Sequence, residues 1–85
     1  MYLHIGNDVV LSRKSIIGIF DMDIGTDLHA AEVFLNAAQK ENRIRTVSDD
    51  IPKSYIVCQK NGKTLVYLSP LATATLKKRW TDNVL

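Results

Sequence analysis

Alternation of apolar residues from the first positions onward constrains this chain more than any other feature. In Tyr2-Leu-His-Ile5, Leu3 and Ile5 fall on one side of an extended segment and Tyr2 and His4 on the other. Gly6-Asn7-Asp8 is a turn signal, and Val9-Val10-Leu11 returns as a second strand. Arg13-Lys14 occupies the next connection. Residues 15–20 form a β-branched run suited to a strand buried on both faces, in which Gly18 marks a bulge or a close backbone approach. An opening of this kind commits the chain to a sheet with a covered face.

The period changes after Asp21. Leu28, Ala31, Leu35 and Ala38 recur at helical spacing with Phe34 beside them, so residues 27–41 are predicted as an amphipathic helix. Thr26 is its expected N-cap, Asp27 suits the dipole of the first turn, and Asn42 is the expected C-cap. Residues 43–53 are polar, charged and proline-bearing, and read as a loop. Segments 54–59 and 63–68 flank Asn61-Gly62, whose tolerance of positive φ predicts a type I′ hairpin. Ser69-Pro70 then predicts the start of a second helix, with Ser as cap and Pro at the first helical position. That helix carries Leu71, Thr75, Leu76 and Lys77-Lys78-Arg79-Trp80. The predicted order is βββ-α-ββ-α, one small α+β domain over residues 1–85 with a mainly antiparallel sheet.

A chain of 85 residues buries only roughly 60–65% of its unfolded surface, which makes homo-oligomerisation an expected remedy. Trp80 and the apolar pair Val84-Leu85 would dock on their own domain or on a neighbouring subunit. No basic, apolar leader precedes the first strand, and no apolar run approaches the roughly 18 residues of a membrane span. Cys58 is the one cysteine, so no internal disulfide forms. These features predict a cytoplasmic protein without a membrane partner.

Catalytic chemistry finds little material. Asp21-x-Asp23 offers two carboxylates, a poor cation site that more simply solvates the end of a strand. His4 and His29 lack the i, i+4 partner of zinc motifs. Cys58 lies in an apolar strand with no adjacent base and reads as a small core residue. No Gly-rich phosphate loop is present. The expectation is a non-enzyme without metal or cofactor.

Cations are more suggestive. They fall at Arg13-Lys14, Arg43 and Arg45, Lys53, Lys60 and Lys63, and Lys77-Lys78-Arg79, while carboxylates gather mostly at 21–32 and 49–50. A duplex attracts such clusters through phosphate neutralisation and counterion release. Plainer explanations exist for some of them. Lys60 and Lys63 bracket a hairpin tip, where solubility places lysines, and Lys77-Lys78-Arg79 end a helix, where cations meet the dipole. Arg13-Lys14 has no such structural excuse.

Several blocks together resemble the RemA/RemB family of bacterial extracellular matrix (biofilm) regulatory proteins. They are Tyr2-Leu-His-Ile-Gly-x-Asp8, Val9-Val10-x-Ser12, Ile17-Gly-Ile-Phe-Asp21, Pro52-Lys53-Ser54, and Tyr67-x-Ser69-Pro70-Leu71 with Thr75-Leu76-Lys77-Lys78-Arg79. Order and spacing carry the resemblance across nearly the whole chain. It implies a cytoplasmic regulator of biofilm matrix genes and, in the RemA branch, subunits closed into rings that present basic residues to DNA. A helix-turn-helix is not expected, because a hairpin separates the two predicted helices. Lys14 matches a basic position of the RemA branch and Arg13 reinforces it. Where RemA-like proteins have paired arginines, this chain has Asp49-Asp50-Ile51-Pro52-Lys53, with only Lys53 basic. The expected contacts to double-stranded DNA are Arg13, Lys14 and Lys53, then Lys77, Lys78 and Arg79. The alternative is an oligomeric scaffold that binds a protein or small ligand and no DNA, which Asp49-Asp50 favours.

Overall fold

Two antiparallel hairpins set the frame of the computed structural model, which describes residues 1–22 and 28–82. The first joins β1 (Tyr2–Gly6) to β2 (Val9–Ser12) through Asn7 and Asp8, at φ of 48° and 65°. The second joins β5 (Ser54–Lys60) to β6 (Lys63–Ser69) through Asn61 and Gly62, at φ of 52° and 76°. Both tips thus use the left-handed pair that matches strand twist, as Asn-Asp and Asn-Gly allow. The Asn7 amide also donates to the Val47 carbonyl (3.1 Å), tying the first tip to the main sheet.

The main sheet has the order β3-β5-β6-β4. β3 (Ile16–Asp21) pairs antiparallel with β5, and the register shifts between Ile16 and Gly18, which is the bulge Gly18 signalled. The expectation that β3 is buried on both faces is corrected. β3 is an edge strand, with Ile17 60% and Phe20 45% exposed. Burial on both faces belongs to β5, where Ser54 through Cys58 are all buried. β5 has a strand on each side and a covering layer on each face over these five residues, and only Gln59 and Lys60 at its end meet water.

Those covering layers differ. On one face the β1–β2 hairpin and α2 (Thr73–Asp82) enclose Leu3, Ile5, Leu11, Val47, Ile56, Cys58 and Leu76, with Trp80 packed against them. On the other, α1 (Leu28–Lys40) lays Ala38, Phe34 and Leu35 over Tyr55, Val57 and Val66. Asn42 closes α1 at φ 58°, where Arg43 N–H bonds the Ala38 carbonyl (2.8 Å) and Asn42 N–H bonds that of Gln39 (3.1 Å). This is the Schellman pattern that the predicted C-cap requires. The expected caps Thr26 and Asp27 lie outside the described residues, as do Asp23 and Val84-Leu85.

Two further expectations change. The predicted loop 43–53 contains a sixth strand, β4 (Ile44–Thr46), parallel to β6. An edge strand needs only one inward side chain, here half-buried Ile44, so its polar neighbours Arg45 and Thr46 hide it from a pattern reading. The order is therefore βββ-α-βββ-α within the same α+β, mainly antiparallel class. The second helix begins at Thr73 and not at Ser69-Pro70. Ser69 ends β6 fully buried, its hydroxyl donating to the Ile5 carbonyl (2.6 Å) and accepting from Leu71 N–H (3.0 Å). Pro70 packs over Gly6, which sits at φ 118° where a β-carbon would lie 3.3 Å from the Pro70 ring. A capping signal is spent here on joining the hairpin to the sheet.

Candidate nucleic-acid interface

Strand direction sorts the charges into two ends. β5 runs from Ser54 to Lys60, and Ile16 pairs with Cys58 near its finish. The 3-10 turn Arg13–Ser15 therefore lies beside the Lys60-Asn61-Gly62-Lys63 tip. Arg13 N–H bonds the Met1 carbonyl (3.0 Å), and the Ser15 hydroxyl bonds that of Ser12 (2.7 Å), which shapes the turn and leaves Lys14 exposed.

α2 runs back along β3 toward the same end. It starts at Thr73, whose hydroxyl donates to the Asp21 carboxylate (3.0 Å), and reaches Trp80, over which the Arg13 guanidinium stacks at 3.9 Å. Arg79 donates to the His4 carbonyl (3.3 Å). Arg13, Lys14, Lys60, Lys63 and Arg79 thus gather at one end of the fold. Arg43 reaches toward that end as well, donating to the Thr64 carbonyl (3.2 Å) while paired with Glu41.

The other end holds carboxylates. Asp21 is there beside Thr73, and Asp8 is at the first hairpin tip near Val47. Asp49 and Asp50 lie between Val47, whose N–H bonds the Leu68 carbonyl, and Lys53, whose N–H bonds that of Ser69. Lys53 is therefore not brought to the basic end: the seven residue steps of β5 set it roughly 23 Å from Lys60.

Of the six expected contacts, Arg13, Lys14 and Arg79 come together. Lys78 is exposed on α2, and Lys77 lines a groove between α2 and the open edge of β3 with Trp80 and Ile17. Sequence reasoning passed over Lys60, which lines one cleft with Lys14. The only signal for that pairing is the strand register, which brings the end of β5 beside the turn after β2.

Arg13 serves the fold as well as the charge. An Arg13→Ala variant is expected to lose about 1 kcal/mol of stability through the stacked Trp80, lowering Tm by about 4–8 °C. Lys14→Ala, at an exposed position, is expected to leave Tm unchanged within error, and thermal denaturation of both variants checks this.

Cys58 takes no part. It is 2% exposed, and desolvation pushes its thiol pKa up, opposed in part by its side-chain hydrogen bonding with Ser15. A raised thiol pKa favours the folded state below the unfolded value, and the advantage is lost as pH rises through the folded one. Maleimide is expected to leave the native protein unlabelled at neutral pH and to label it fully in denaturant.

Among the described residues no three His, Cys, Asp or Glu side chains come together as a metal site, and no helix is long and apolar enough to cross a membrane. What stands out is a small α+β domain with cations drawn to one end and an apolar groove along an open sheet edge. Comparison with known proteins gives that domain a family. The model of the RemA-like family, described as extracellular matrix regulatory protein A-like, matches residues 2–80. Extracellular matrix regulatory protein B of Bacillus subtilis (strain 168) is 40% identical over 79 residues, covering 93% of this chain and 89% of that protein. The chain belongs to the RemA-like family of extracellular matrix regulatory proteins.

Proposed function

We propose that this chain is a non-enzymatic cytoplasmic regulator of extracellular matrix genes that binds double-stranded DNA as a homo-oligomer. The observation that carries the reading is the gathering of Arg13, Lys14, Lys60, Lys63 and Arg79 at one end, away from Asp21, Asp49 and Asp50. Such a surface attracts phosphate irrespective of base sequence. Each subunit offers few contacts, so useful affinity needs several subunits on one duplex. Lys53 would contribute only if the assembly brings its end of a neighbouring subunit to the DNA.

Oligomerisation is supported by the edge strand β3, where Ile17 stays exposed beside a groove of about 620 Å³ and Phe20 is part-exposed where it stacks on Tyr55. The main sheet has its other free edge at β4, so the two edges are different surfaces. Copies joined through different surfaces add head to tail and close into a ring when the rotation matches. A role in regulating the extracellular matrix is supported by the family's name and that of its B. subtilis member, and action at the level of genes follows from the DNA reading.

Fluorescence anisotropy of a labelled random duplex, at low and at physiological salt, tests the proposal. Tight binding that collapses with salt is expected. No binding at either salt overturns it in favour of an oligomeric scaffold for a protein or small-molecule partner, a reading that Asp49 and Asp50 favour.

A further inference from the structure

Beside the basic end lies a cleft whose lining exceeds what a phosphate backbone asks for. It opens between the β1–β2 hairpin and the arm formed by β5 and β6, with a volume of about 580 Å³. That size suits a small organic ligand, since such sites run from about 300 to 1,000 Å³. A backbone contact on a duplex needs only exposed cations. This cleft has three kinds of surface.

Two lysines reach it from different elements, Lys14 from the 3-10 turn and Lys60 from the end of β5. Two tyrosines line it as well, exposed Tyr2 from β1 and half-buried Tyr67 from β6. Gln59 and Asn61 add carboxamides, which both donate and accept, over a base of Leu11 and Leu65. Lysines suit phosphate oxygens as point charges. Aromatic faces suit a planar heterocycle, and carboxamides suit the mixed donor and acceptor edge of a base. A nucleotide is the ligand class that asks for all three together.

We infer that this cleft is a binding site for a free nucleotide, with Lys14 and Lys60 on its phosphates and Tyr2 against its base. Asn61 sits at φ 52° in the hairpin tip, so the turn fixes its backbone at the rim of the cleft. The site shares Lys14 and Lys60 with the proposed DNA surface, and a bound nucleotide therefore competes with a duplex. That competition rests on the DNA reading; the nucleotide site does not.

Isothermal titration calorimetry with ATP and GTP to millimolar concentration is the test, with tripolyphosphate and adenosine as separate probes. The expected result is binding of at least one nucleotide, with tripolyphosphate and adenosine each about tenfold weaker or worse, as each lacks one set of contacts. Lys60→Ala and Tyr2→Ala, both at exposed positions, are each expected to weaken nucleotide binding by about tenfold. The inference is overturned if neither nucleotide binds, if tripolyphosphate binds as tightly as the nucleotides, or if both variants bind like the parent.

Anisotropy on the same proteins separates this inference from the DNA reading. Tyr2→Ala retains every cation and is expected to hold a duplex as the parent does. Duplex binding without nucleotide binding sinks the cleft alone; nucleotide binding without duplex binding sinks the DNA reading alone.

Discussion

A Lys14→Ala, Lys60→Ala double variant is expected to bind duplexes of unrelated sequence with equally reduced affinity. Both side chains are exposed and line the same cleft, so the pair removes charge from one place without touching the core. Each lost phosphate contact lowers the slope of log affinity against log salt by about 0.9, so the slope falls by about 1.8 per engaged subunit. In an assembly that engages one duplex through several subunits the loss multiplies, and affinity at physiological salt is expected to drop by about 100-fold or more. Anisotropy across a salt series measures both quantities. An unchanged slope would remove these two lysines from the interface. Loss on one sequence only would mean that they read bases, because phosphate contacts weaken all sequences alike.

Ser69→Val is expected to be the most damaging single substitution at the junction of the two sheets. The residue is fully buried, and its hydroxyl serves both the Ile5 carbonyl (2.6 Å) and the Leu71 N–H (3.0 Å). Valine adds a methyl's bulk at a fully buried site and leaves two polar backbone groups without the hydroxyl that serves them. Each costs about 1–3 kcal/mol, so about 2–6 kcal/mol is at stake in a domain whose whole stability is of the order of 5–10 kcal/mol. Urea denaturation should show the midpoint falling sharply at an unchanged m-value. Thr75→Val, exposed on α2, is the control and should move the midpoint little. A Ser69→Val protein as stable as its parent would show that the hydroxyl bridge is dispensable.

Both hairpins were legible as residues because their signals are local. Asn7-Asp8 and Asn61-Gly62 tolerate positive φ, and the flanking alternation needs no knowledge of the rest of the chain. Asn42 was legible as a helix stop for the same reason. Gly18 also announced its bulge. β4 escaped because three residues with one inward side chain have no detectable period, and its partner β6 lies about twenty residues downstream. Ser69-Pro70 misled because a cap and a tertiary bridge use the same hydroxyl, and only Ile5 at the far end of the chain decides between them.

The candidate interface divides along the same line. Arg13-Lys14 could be singled out from sequence, since nothing local explained a basic pair between two apolar strands. That Arg13 stacks on Trp80, that Lys60 joins Lys14, and that Lys53 stands at the opposite end could not be. By itself the sequence determined the α+β class, the turns, the main helix and the family, because these rest on short-range conformational preference and on residue order. Only the tertiary structure decided which strand is buried on both faces and which cations share a surface. Those depend on pairing between segments dozens of residues apart, where free energy comes from packing and hydrogen bonds that no local window contains.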